Sequence, residues 1–142
     1  MTGSDSPAIH IRHAEAADAH ALSEFIMPFV EEGKLLPRTV DELMSLIPHC
    51  FLAESEGRII ACAALEIYSP KLAEVRSLAV AAEFQRTGIG KRLVTTCVDL
   101  ARSKNVLEVM AVTSSEDFFK SCGFDFTLPG EKKALFVRTR DD

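Results

Sequence analysis

The segment from Leu72 to Ser103 constrains the fold more than any other part of the chain. Strand-forming residues run from Leu72 to Val80, a short loop follows, Gly88 and Gly90 stand two positions apart, and a helical pattern starts at Ile89. Along Ile89 to Ser103 the apolar residues Ile89, Leu93, Val94, Cys97, Leu100 and Ala101 share one face, while Lys91, Arg92, Asp99 and Arg102 lie largely elsewhere. A strand that passes through a glycine loop into a helix aims free first-turn N–H groups at an anion, and phosphate is the obvious candidate. Gly88 and Gly90 leave room for close backbone approach, and Arg86, Lys91 and Arg92 gather positive charge beside them.

Two familiar phosphate loops do not fit. A dinucleotide fingerprint needs a third glycine where Leu93 stands, and a P-loop needs Ser or Thr after Lys91, where Arg92 stands.

The remaining patterns extend this unit into one layered domain. Ile9 to Arg12 alternates as a first strand would, and after Asp18 the residues Leu22, Ile26, Met27 and Val30 mark a helix that ends before Gly33. Thr39-Val40-Asp41-Glu42 fits a capping box, which opens a short helix stopped by Pro48. Cys50 to Ala53 and Arg58 to Ile67, joined through Ser55-Glu56-Gly57, predict an antiparallel hairpin. Further on, Val106 to Val112 predicts a buried strand and Ser115 to Ser121 a short helix capped by Gly123. Phe124 to Leu128 and Leu135 to Thr139 predict two closing strands. The expected fold class is mixed α/β (α+β): a mixed, mainly antiparallel sheet flanked by helices, in a single domain over residues 9–142 after a loose polar leader at 1–8.

Composition narrows the function classes. A length of 142 residues suits one ordinary domain, and 47% hydrophobic with 26% charged residues is a globular balance. The longest uninterrupted apolar stretch, Ile59 to Leu65, falls far short of the roughly 20 residues of a membrane span, and the leader carries no secretory-signal pattern. A net charge of −5 argues against general affinity for nucleic acid. Cys50, Cys62, Cys97 and Cys122 are scattered, and His10, His13, His20 and His49 form no metal-ligand spacing with them or with carboxylates. No metal is expected, and reduced thiols suit a cytoplasmic protein.

The order of elements and the segment Gln85-Arg86-Thr87-Gly88-Ile89-Gly90 resemble the GCN5-related N-acetyltransferase (GNAT) superfamily, whose acetyl-CoA loop reads Gln/Arg-x-x-Gly-x-Gly/Ala between a strand and a helix. The resemblance runs from about Ile9 to Thr139 and takes in Phe118-Phe119-Lys120-Ser121-Cys122-Gly123-Phe124. It implies acetyl-CoA as co-substrate, bound by Gln85, Arg86, Thr87, Gly88, Ile89, Gly90, Lys91 and Phe119. It also implies that the backbone of Leu78, Ala79 and Val80 holds the pantetheine arm, where the fourth strand splays from the fifth. An N–H of Leu78 or Val80 would face the thioester oxygen, and such a donor is commonly worth about 10²-fold or more in rate.

Acetyl transfer to an amine needs a neutral nitrogen, yet an α-amine is mostly protonated at neutral pH. Glu74, on the strand leading to Leu78, is the first candidate for the base, directly or through water, and Glu66 is the second. Many similar enzymes protonate the departing thiolate with a Tyr in the helix before the Gly-Phe pair; Phe118 and Phe119 stand there, and Tyr68, the only tyrosine, lies elsewhere. Water or the hydroxyls of Thr113, Ser114 or Ser115 would substitute, or the thiolate would leave without help. Direct transfer within a ternary complex needs no nucleophilic cysteine.

Three further segments resemble the acetyltransferase domain of N-acetylglutamate synthases: Glu32 to Thr39, Cys62 to Leu65, and Ala73 to Val80. That resemblance implies an acidic amino acid, L-glutamate above all, as the small-molecule amine, and a place in arginine biosynthesis. It puts Arg38 on the substrate's side-chain carboxylate and Glu74 and Ser77 at the amine, with Lys132 and Lys133 as the remaining basic contacts. A planar guanidinium suits a carboxylate on physical grounds as well. Another amine (a polyamine, a drug, a protein N-terminus) and a non-catalytic acyl-CoA sensor are the alternatives. Dimers are common among similar proteins, which leaves a homodimer open.

Overall fold

The computed structural model describes residues 8–127, 130 and 133–140. One sheet contains β1 (His10–His13), β2 (Cys50–Ser55), β3 (Arg58–Ser69), β4 (Leu72–Val80) and β5 (Glu108–Met110), in that spatial order. β1 to β4 pair antiparallel and β5 joins β4 in parallel, so the sheet is mixed and mainly antiparallel. The helices are α1 (Ala19–Glu31), α2 (Val40–Leu46), α3 (Ile89–Ser103) and α4 (Glu116–Ser121).

Local chemistry explains the boundaries. At Thr39 the expected capping box is complete: its Oγ1 accepts from the Glu42 amide at 3.1 Å, and its own amide donates to Glu42 Oε1 at 2.8 Å. Glu56 and Gly57, at φ 53° and 76°, form the two-residue turn with both φ positive that matches the twist of β2 and β3. Beyond α4, the Phe124 amide donates to Phe119 O and the Gly123 amide to Lys120 O, both at 3.0 Å, so Gly123 caps the helix as expected.

Period-2 alternation along the strands divides the core between two faces. Phe51, Ala53, Ala61, Ala63, Leu65, Ala73 and Val75 pack against α3 through Ile89, Leu93, Val94, Cys97 and Ala101, and against Phe119 of α4. Cys50, Leu52, Cys62, Ala64 and Ala79 turn the other way, onto Leu22 and Ile26 of α1 and Leu43 and Leu46 of α2. The result is three layers, with the sheet between two pairs of helices.

The parity of β4 reverses along its length. Ala73 and Val75 face α3, whereas Ala79, also an odd position, faces α1 and α2. An inserted residue accounts for this: Ala64 pairs with Arg76 and Cys62 with Ala79, so two steps on β3 match three on β4. The bulge contains Ser77, at φ 55°, in the left-handed region that L side chains rarely adopt.

The two closing strands do not form among the described residues. Residues Phe124 to Thr127 and 133–140 lie outside the sheet, and Leu135, Phe136 and Val137 are at least 80% exposed. Strand-forming side chains make a strand only where an edge offers N–H and C=O partners, and β5, expected over Val106 to Val112, is ordered as a strand for three residues only.

Candidate functional site

From β4 the chain runs through a short turn at Ala82–Phe84 and the loop 85–88 into α3. Arg86 and Gly88 both take left-handed conformations, at φ 65° and 86°. Turns of this kind line up successive amides into an anion-binding concavity, here continuous with the free first-turn N–H groups of α3. A Cβ at Gly88 would meet nothing within 4 Å, so the backbone conformation requires the glycine and the space in front of it is open. Lys91 and Arg92 flank an open groove of about 490 Å³ that also touches Gly88, Ile11, Thr95 and Thr96.

Several loop residues act through the loop itself. Gln85 Nε2 donates to Val80 O at 3.1 Å, and Thr87 Oγ1 donates to Phe84 O at 2.5 Å, so both side chains brace the turn. A Cβ on Gly90 would lie 3.4 Å from Phe118 Cζ and 3.5 Å from Val80 Cγ2, which ties this glycine to packing between α3, α4 and β4. Phe119, expected at the ligand, is only 8% exposed and sits in the core, edge-on to Phe118 and Phe124. Phe118 is the aromatic that reaches Gly90, in the first turn of α3.

β4 and β5 pair only from Leu72↔Glu108 to Glu74↔Met110, so the edge of β4 is open from Val75 onward, as the expected splay requires. Alternate residues of a strand turn their backbone groups to opposite edges. The Ala81 amide bonds Ile60 O of β3 at 2.8 Å, which turns the amides of Val80 and Leu78 toward the open edge and that of Ala79 toward β3. Ser77 O accepts from the Cys62 thiol at 3.2 Å. Burial pushes the Cys62 thiol well above its usual range and those of Cys50 and Cys97 up to about 12, so none is a nucleophile at neutral pH.

Below the bulge, Glu66 and Glu74 stand directly opposite one another on β3 and β4. Two carboxylates in that register repel, and Arg76 lies against both, with Nη1 3.2 Å from Glu66 Oε1 and 3.8 Å from Glu74 Oε1. The Tyr68 hydroxyl donates to Glu74 Oε1 at 2.6 Å and accepts from Arg76 Nη1 at 3.3 Å. Glu74 is 8% exposed, a buried charge inside a network of partners. Tyr68 lies on β3, outside the helix where similar enzymes carry their tyrosine, as the sequence indicates; its contact with Glu74 depends on strand register, which the sequence does not show. β3 continues to Ser69, and the two-residue connection Pro70-Lys71 folds Tyr68 back onto Glu74.

On the same face, α2 and the turn after it meet β3 around a hollow of about 390 Å³ lined by Arg38, Glu42, Ser45, Leu46, His49, Leu65, Glu66 and Ile67. Its two carboxylates are engaged: Glu42 by the Thr39 amide and Glu66 by Arg76. Burial, followed by the charges of Lys104 and His13, holds His49 below the usual imidazole range and therefore neutral at pH 7. Arg38 is half-buried and forms no ion pair among the described residues. Lys133 is exposed and does not line this hollow; Lys132 lies outside the described residues. Among the described residues no cluster of His, Cys, Asp and Glu could hold a metal ion, and no helix is long and apolar enough to cross a membrane.

Comparison with known proteins bears on the family and the fold. The profile of the acetyltransferase (GNAT) family matches residues 17–124. An uncharacterised N-acetyltransferase of Chlorobaculum tepidum is 39% identical over 114 residues, which cover 80% of this chain and 74% of that protein. The structure of Rv2747 from Mycobacterium tuberculosis, in complex with CoA and NLQ, superimposes with a TM-score of 0.77 at 26% identity, covering 88% of this chain and 76% of that one. The N-acetylglutamate synthase of Neisseria gonorrhoeae, complexed with coenzyme A and N-acetyl-glutamate, gives a TM-score of 0.72 at 27% identity. That match covers 82% of this chain but 28% of the synthase, so the chain spans less than a third of that enzyme's length.

Proposed function

The chain belongs to the acetyltransferase (GNAT) family, and on that premise we propose that it transfers the acetyl group of acetyl-CoA to the α-amine of L-glutamate or another acidic amino acid, in a ternary complex. The observation that carries the choice of acceptor is Arg38: a half-buried guanidinium facing a hollow whose own carboxylates already have partners. A guanidinium that forms no ion pair among the described residues suits a carboxylate delivered by substrate, through two parallel hydrogen bonds. The likeness to a synthase crystallised with N-acetyl-glutamate supports the same choice.

The chain's residues divide the work along β4. The left-handed turns at Arg86 and Gly88 and the first turn of α3 would hold the pyrophosphate, with Lys91 and Arg92 adding charge. The amides of Leu78 and Val80 at the open edge would take the pantetheine arm and the thioester oxygen, where negative charge develops during attack. Glu74 lies four residues before Leu78, at most about 13 Å at a regular rise of roughly 3.3 Å per residue and less across the bulge, so it would draw the amine's proton through ordered water. Ser77 sits between them on the bulge, which re-aims the strand at this point. With Phe118 and Phe119 in α4, the thiolate would leave unaided or with help from water or the hydroxyls of Thr113, Ser114 or Ser115; a thiol pKa of about 8.5 makes it a tolerable leaving group.

Release of CoA thiol, followed across a set of amino acids and amines, tests the reading. Glutamate or aspartate should lead, whereas preference for polyamines would replace the acceptor and leave the reaction class standing. Binding of acetyl-CoA without turnover on any amine would favour a sensor. Acetyl-CoA should also raise the melting temperature, since a ligand that binds the folded state alone stabilises it by RT ln(1 + [L]/Kd), about 2.7 kcal/mol at 100 times Kd. In Gly88→Glu the shift should vanish, because the substitution puts both a side chain in a left-handed position and a carboxylate in the anion's place. A shift that persists in Gly88→Glu would move the phosphate site elsewhere.

A further inference from the structure

We propose that Tyr68 is a positioning residue for Glu74: its hydroxyl holds Oε1 of the buried carboxylate, fixes the orientation of the group and leaves Oε2 as the oxygen that takes the proton. The inference rests on the reading of Glu74 as the base. Among the described residues the Tyr68 hydroxyl is the one hydrogen-bond donor on the Glu74 side chain, and its 2.6 Å length is that of an O–H···O⁻ bond. Arg76 cannot replace it, since Nη1 stands 3.8 Å from Glu74 Oε1 while serving Glu66 and the Tyr68 oxygen itself at 3.2 and 3.3 Å. At 8% exposure Glu74 is held by groups of the protein more than by bulk water, and the hydrogen-bond donor among them is a phenol.

Tyr68 does not fit the other role a tyrosine could take. Tyr68 is the unpaired residue of a second irregularity on β3, between Ile67 and Ser69, on the side of Glu74 away from the Ser77 bulge; the proposed thioester site at Leu78 lies beyond Ser77, so the hydroxyl serves the carboxylate and not the departing thiolate. Burial, then the bond to Glu74, raises the Tyr68 phenol above its usual range, which keeps it a donor throughout the working pH. The other charged or titratable groups around the pair are Glu66 on β3, Arg76 on β4 and Glu108 on β5, with Arg38, Glu42 and His49 lining the hollow beside Glu66.

The test compares Tyr68→Phe and Glu74→Gln with the wild type. The Tyr68 side chain is about half exposed, so loss of one oxygen should leave the fold intact. A hydrogen bond to a charged group favours the ionised form, and losing it should move the acid limb of the kcat profile up by about one pH unit while KM for acetyl-CoA stays put. Carboxyl carbon NMR of Glu74 in the unliganded protein should show the same upward displacement without reference to any acceptor. If Glu74→Gln abolishes the acid limb while Tyr68→Phe leaves it and the NMR midpoint in place, the role of Tyr68 is overturned and that of Glu74 stands. If Glu74→Gln leaves the limb untouched, the base is elsewhere and the inference falls with it.

Discussion

Glu74→Gln is expected to leave acetyl-CoA binding intact and to lower kcat by about 10²- to 10⁴-fold, the usual contribution of a positioned general base. The amide keeps the shape of the side chain, and its carbonyl can still accept from Tyr68, so the network around Arg76 and Glu66 should survive. What disappears is the ability to take a proton from the incoming amine. The deficit should be largest near neutral pH, where the amine is mostly protonated, and should narrow as pH rises toward the amine's own pKa, which for a free amino acid lies above the roughly 8 of a peptide's terminal α-amine. Steady-state rates across pH, with binding of acetyl-CoA measured separately, check both halves. Rates equal to wild type at every pH would shift the role to Glu66 or to water alone.

The parts of this molecule that were legible beforehand are those fixed by local chemistry. α3 spans Ile89–Ser103, as the periodicity predicts, because it has a clean apolar face and a glycine at its start; β4 spans Leu72–Val80, as its run of strand formers after Pro70 predicts, although its apolar face changes side at the bulge. The cap at Thr39 follows from a four-residue pattern that satisfies itself. The parts that were not legible depend on register. Nothing within Arg76-Ser77-Leu78 announces the extra residue of the bulge, whose existence follows from how β3 and β4 align over their whole length. The same alignment sets Arg76 between two carboxylates and Tyr68 over one of them, pairings that exist only once the strands are matched.

Phe118 and Phe119 show the limit from another direction. They are neighbours of one type, and only the packing of α4 separates them: Phe119 is buried in the core while Phe118 lies partly exposed against its edge. For the final segment the reverse held: Leu135, Phe136 and Val137 have the composition of a strand, and composition cannot supply an edge to pair with.

Arg38→Ala should raise KM for glutamate selectively. Truncating one partner of a buried, hydrogen-bonded charge pair costs about 2 to 5 kcal/mol, or roughly 30- to 4,000-fold in affinity. Arg38 is half-buried, so solvent screens part of the interaction and the lower end of that range is expected. Its position before the Thr39 cap lets the fold tolerate the change, because the capping bonds run through the Thr39 hydroxyl and backbone and the Glu42 carboxylate, none of which belongs to residue 38. Affinity for acetyl-CoA should hardly move, since the loop at 85–88 proposed to hold its phosphates lies elsewhere along the chain. Arg38→Lys should recover only part of the loss, an ammonium supplying charge without the planar pair of N–H donors. Neutral acceptors such as glutamine provide the control: they present no side-chain carboxylate, so their KM should be nearly the same in wild type and Arg38→Ala. Equal slowing of every acceptor would make Arg38 a structural residue of the hollow, and a wild-type preference for basic amines would discard glutamate while leaving acetyl transfer in place.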